Sequence, residues 1–164
     1  ATSDDGKTWE PVSLTGESDL HAIDTAGERV VAYDSMTESV LSSEDGGGTF
    51  ASVARLPAID VALIAGGDIL ITGADGTLWR TGDKVLKKVP SAPSLTFIDG
   101  EGTLEGVSPD GAVWVSPDGG TWTASGELPG EPQALTADDG RWFAATTTGL
   151  YQSRDDGKTW KPLL

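Results

Sequence analysis

The residues able to do chemistry at a shared centre are few. His21, the one histidine, offers a general acid or base near neutral pH and a nitrogen ligand. Asp24, Asp34 and Asp60 offer carboxylates for an oxygen-ligated cation or for the acid and base steps of glycosyl transfer. Tyr33, Asp99 and Gln133 complete the polar set. One histidine cannot build a transition-metal site alone, and a chain with no cysteine has neither a thiolate ligand nor a thiol nucleophile. Each of these aspartates also suits a turn, which it caps by accepting backbone N–H groups, and turn capping is the preferred reading. For His21 a hydrogen-bonded channel lining is preferred over catalysis. No metal and no cofactor are expected.

A second set of carboxylates, Asp4, Asp45, Asp118 and Asp155, sits inside a repeated motif. The four segments are Thr2–Trp9, Ser43–Phe50, Ser116–Trp122 and Ser153–Trp160, and each reads Ser/Thr-x-Asp-x-Gly-x-Thr-aromatic, the third one residue short. Within such a box the glycines take the positive φ of a tight turn, the carboxylate accepts turn N–H groups and the hydroxyls add bonds to the backbone. The closing aromatics Trp9, Phe50, Trp122 and Trp160 are expected to bury their rings between neighbouring sheets. Boxes on separate sheets keep their carboxylates too far apart to act as an acid/base pair or to share a cation. Their role is therefore structural.

The elements that must position these groups follow from the repeat. The closing aromatics recur at intervals of about 36 to 41 residues, with one step skipped between Phe50 and Trp122. The segment Gly76–Val89 fills that step, keeping two strands while losing the box. A period of this length holding four short strands is a β-propeller blade. The division is an end of a preceding blade at residues 1–14, then blades at 15–56, 57–90, 91–129 and 130–164. Inner strands are expected at Leu20–Asp24, Ile59–Ile64, Ser94–Ile98 and Pro132–Thr136, second strands at Arg29–Tyr33, Asp68–Thr72, Thr103–Val107 and Arg141–Ala145. Third strands are expected at Ser39–Ser43, Thr77–Thr81, Ala112–Ser116 and Gly149–Ser153, and the first outer strand at Thr49–Ala54. The fold class is all-β: four complete four-stranded antiparallel blades and an orphan hairpin, expected to belong to a ring of six to eight blades or to pair with a second copy.

The boxes resemble the Asp-box (BNR) repeats of sialidases, sortilin-type receptors and photosystem II assembly-factor propellers, and the resemblance runs over almost the whole chain. Ser13–Ala22, Tyr33–Ser35, Leu128–Leu135 and Ala144–Gly149 are similar to bacterial secreted propellers of glycosylhydrolase or exo-sialidase-like type. That resemblance implies a location outside the cytoplasm. Sialidases grip an anionic sugar with three converging arginines and use a Tyr/Glu nucleophile pair with an acidic proton donor. Here Arg29 and Arg141 open second strands, Arg55 follows an outer strand, Arg80 replaces a box and Arg154 lies inside one. No sialidase catalytic residue is carried over.

Composition narrows the partners. Twenty-six acidic residues against 11 basic give a net charge of −15, a field that repels phosphate backbones and anionic lipids. Neither nucleic acid nor a membrane span is expected. The function expected is a non-catalytic binding or assembly scaffold with a protein or carbohydrate ligand. The alternative is a sialidase-like glycoside hydrolase whose site is shared with further blades.

Overall fold

The computed structural model describes residues 2–3, 6–82, 85–100, 102–138 and 140–163. All regular structure in them is β, in strands antiparallel to their neighbours. The chain opens with a two-stranded hairpin, β1 (Thr2–Ser3) and β2 (Trp9–Glu10). Four sheets of four strands follow, each a meander, and together they form a four-blade β-propeller arrangement.

The first blade is β3 (Leu20–Ala26), β4 (Arg29–Asp34), β5 (Ser39–Ser43) and β6 (Ala51–Arg55). The second is β7 (Ala58–Leu63), β8 (Ile69–Gly73), β9 (Leu78–Gly82) and β10 (Val85–Lys88). The third is β11 (Phe97–Asp99), β12 (Leu104–Val107), β13 (Ala112–Ser116) and β14 (Thr123–Glu127). The fourth is β15 (Pro132–Asp138), β16 (Arg141–Thr146), β17 (Gly149–Ser153) and β18 (Lys161–Pro162). Two expected boundaries shift for a visible reason. The first outer strand starts at Ala51 and not Thr49, because the N–H and hydroxyl of Thr49 are both held by the Asp45 carboxylate. The third inner strand is Phe97–Asp99 and not Ser94–Ile98, ending where Gly100 takes a φ of 130.

Core lies between blades, since each sheet is apolar on both faces along its middle strands. Val31, Tyr33 and Val40 of the first blade pack with Val61, Leu63 and Ile71 of the second. Leu70 and Leu78 of the second pack with Leu95, Ile98 and Leu104 of the third. Val107 and Val113 of the third pack with Trp142 and Ala144 of the fourth. Side chains as enclosed as Val31 and Leu70, both 0% exposed, each contribute roughly 1.5–3 kcal/mol.

The boxes clasp their own turns. Asp45 accepts the Thr49 N–H at 2.8 Å and the Thr49 and Ser43 hydroxyls at 2.7 Å each. Asp155 repeats this with Thr159 and Ser153, and Asp118 takes the Gly120 and Thr121 N–H groups at 2.8 and 2.9 Å in the shortened box. Asp4 lies outside the described residues. The expectation for the aromatics is corrected at one position. Trp122 and Trp160 pack onto the cores on either side of the third blade and Phe50 is half-buried, whereas Trp9 is 68% exposed, its two-stranded hairpin lacking the wider sheet that flanks the others.

Candidate functional site

The four inner strands face one funnel. Ile23 and Asp24, Asp60 and Val61, Ile98 and Asp99, and Leu135 and Thr136 line a cavity of about 390 Å³. A second cavity of about 620 Å³ opens beside it at the end of the ring that carries the box turns, lined by Asp24 and Leu63 as well as by Asp99, Glu105, Trp142 and Asp156.

Three of the candidate carboxylates share one geometry. Asp24 accepts the N–H of Thr25 at 2.6 Å through Oδ1 and that of Leu63, in the next blade, at 2.6 Å through Oδ2. Asp60 repeats it with Val61 at 2.9 Å and Ile98 of the third blade at 3.0 Å. Asp99 repeats it again with Gly100 at 2.7 Å and Ala137 of the fourth blade at 2.9 Å. Each carboxylate thus tethers the amide of the following inner strand, an inter-blade clasp. In the fourth blade register places Thr136 at the Asp99 position, and Asp138, two residues on, meets Arg141 with its carboxylate at 2.9 Å.

The clasps differ in electrostatics. Burial pushes the Asp60 carboxyl up to about 7, against the pull of the Ile98 and Val61 N–H groups and with help from the charges of Asp99 and Asp24. Desolvation outweighs two hydrogen bonds here because both bonds stabilise a charge that water no longer reaches.

The remaining candidates do not join this group. Asp34, 2% exposed, caps the turn between second and third strands by accepting the Thr37 hydroxyl at 2.6 Å and the Asp19 and Met36 N–H groups. The Thr37 hydroxyl, then the Asp19 N–H, hold its carboxyl below the usual range. Tyr33 is buried in the core between the first two blades. His21 is exposed, its Nε2 3.1 Å from Asp19 Oδ2, and Gln133 is exposed with its amide donating to Pro132 O. By register His21 pairs toward the Asp34 end of its sheet and Asp24 toward the box end, so the polar set divides between the two ends of the funnel.

Glu105 was not among the candidates. It is 1% exposed and its Oε2 has no hydrogen-bond partner. Pairing across the sheets aligns it with Val31, Leu70 and Phe143, the residues opposite Ser42, Arg80 and Gln152. Aligning the second strands on one another is the sequence signal that singles it out. Among the described residues no group of three or more histidines and carboxylates is arranged to hold a metal ion.

No family model matches the chain, and no curated protein matches it. Solved structures do. YCF48 from Cyanidioschyzon merolae superposes over 94% of this chain with a TM-score of 0.68 and 19% identity, and YCF48 bound to D1 peptide over 88% with 0.63 and 18%. A GH74 xyloglucanase from Xanthomonas campestris superposes over 87% with a TM-score of 0.59 and 19% identity. At such identities the likeness establishes the propeller fold alone. The chain spans 59% and 54% of the two YCF48 chains and 32% of the xyloglucanase.

Proposed function

We propose that the chain is a non-catalytic binding scaffold of the Asp-box propeller type, presenting its funnel to a segment of another protein. The observation that carries this reading is the engagement of Asp24, Asp60 and Asp99 by backbone amides of successive blades. A glycosidase needs one carboxyl group free to give a proton and another free to attack or to activate water. Carboxylates spent on amides instead fix the funnel wall, and a rigid wall lowers the ordering cost of binding. The peptide named with one YCF48 structure supports a protein partner for the fold, and the resemblance to secreted propellers supports a location outside the cytoplasm.

Selection of displayed random peptides on the chain, followed by mapping of the bound peptide from amide shifts, tests the reading. The expected footprint includes Thr25 and Thr136 at the funnel. A footprint confined to outer strands such as β6 and β14 overturns it, as does turnover of a fluorogenic glycoside that is lost in Asp24→Asn while the fold is kept.

A further inference from the structure

The cavity at the box end of the funnel, which Asp24–Ala26 and Leu63 line together with the third and fourth blades, carries one acidic departure from the repeat, Glu105, and a second acid, Asp156, at a box turn. Glu105 stands where the two preceding interfaces place Val31 and Leu70, both fully enclosed. Asp156 stands where the Ser43–Phe50 box has Gly46 and the Thr2–Trp9 box has Asp5, at a φ of 56 in the left-handed region. Both line the same cavity with Asp24, Asp99 and Asp138, the last paired with Arg141 at 2.9 Å, and no lysine or arginine is among its described lining residues.

Burying a carboxyl group in a slot that the fold otherwise fills with an aliphatic side chain is unfavourable unless a partner reaches it. Burial, and then the charges of Asp99 and Asp156, push the Glu105 carboxyl up to about 10. A cation brought beside this acid would ionise it, and Glu105 Oε2 has no hydrogen-bond partner.

We propose that this cavity is a binding site for an organic cation, the ammonium or guanidinium of a lysine or arginine side chain, with Glu105 as its buried anchor and Asp99 and Asp156 at its mouth. Trp142, 3% exposed, forms the apolar wall along which the methylene stem of such a side chain packs. A basic side chain suits the site better than a metal ion, because a long stem delivers one charge to a deep acceptor without asking for a full coordination shell. The proposal rests on the scaffold reading in one respect, that the side chain belongs to a bound protein segment.

The test is a titration of the full chain, followed through amide shifts of Ala137 and the Trp142 indole, with end-blocked Gly-Lys-Gly and Gly-Arg-Gly, with Gly-norleucine-Gly and with putrescine. The basic tripeptides are expected to shift these signals and the norleucine peptide to leave them alone. Glu105→Gln, which keeps the shape of the protonated acid, is expected to weaken the basic peptides about tenfold or more. Asp156→Gly, which places there the glycine of the Ser43–Phe50 box, is expected to weaken them by a smaller factor. No shift with either basic peptide, or equal binding to Glu105→Gln, overturns the cation site. Binding of putrescine but of neither peptide overturns the protein-side-chain source. Each of these failures leaves the funnel footprint described above to be judged by its own selection.

Discussion

The Asp60 carboxylate of the second blade accepts the backbone N–H of Ile98 in the third at 3.0 Å. It joins the second blade to the third as Asp24 joins the first to Leu63 and Asp99 the third to Ala137, but two residues further from the box end by register. Hydrogen bonds inside a sheet are met by the sheet itself, so neighbouring blades are held by packing and by side-chain bonds such as Thr72 to Thr96 O, Arg80 to Asp118 O and Ser125 to Asp156 O. The clasps add direction to that packing and fix how each inner strand stands against the next.

Removing a clasp leaves amides without acceptors. Asp60→Ala strands the N–H groups of Val61 and Ile98 at a half-buried site, and the expected loss is roughly 1–3 kcal/mol, measured as a lower urea midpoint. Asp24→Ala, nearer to water, is expected to lose less.

The pH dependence of stability has two limbs with opposite causes. Glu105 keeps its proton in the folded state up to about 10 but loses it near 4.5 when unfolded. Over that window the folded state binds more protons, so stability falls as pH rises. Asp60 adds to the fall between 3.8 and about 7. On the acid side Asp45 is lowered to about 2, first by the Thr49 N–H and then by the Ser43 hydroxyl. Its contribution is present above 3.8 and is lost as pH falls through about 2. Glu105→Gln is expected to flatten the alkaline limb and to raise stability at pH 8 by roughly 1 kcal/mol or more, read from denaturation midpoints across pH.

The box turns depend on one buried hydroxyl. Ser43 Oγ accepts the Gly47 N–H at 2.9 Å while donating to Asp45, and Ser153 does the same for Gly157 and Asp155. Ser153→Ala removes an acceptor from a residue 1% exposed. A loss of roughly 1–3 kcal/mol is expected, by thermal or urea unfolding.

Blade contact also rests on one close backbone approach. A Cβ at Gly126 would stand 2.1 Å from the Gly157 carbonyl oxygen, where β14 meets the box of the fourth blade. Backbone cannot swing aside as a side chain does, so Gly126→Ala is expected to cost roughly 1–3 kcal/mol or more. Gly102→Ala serves as the comparison for space, since nothing lies within 4 Å of its Cβ, although its positive φ adds strain of its own.

Much of the fold is legible in the residues because the box is a local device. Asp45 and Thr49, or Asp155 and Thr159, satisfy each other four positions apart, so their types and spacing are readable in one window and fix the blade repeat. The clasps are not local. Asp24 and Leu63 lie 39 positions apart, and one partner is a main-chain N–H that leaves no mark on residue type. Asp24, Asp60 and Asp99 were therefore visible as polar residues of the funnel but not as ties between blades. Glu105 reads as one more residue of a short strand until the second strands are aligned, when its charge stands against Val31 and Leu70.

Amide hydrogen exchange at Leu63, Ile98 and Ala137 tests most directly the claim that the funnel carboxylates hold the blades together. All three amides are expected to exchange slowly in the unaltered chain. Asp24→Ala should speed Leu63 alone, Asp60→Ala should speed Ile98, and Asp99→Ala should speed Ala137. Unchanged protection in all three variants would contradict the account and return these carboxylates to the pool of groups free for chemistry.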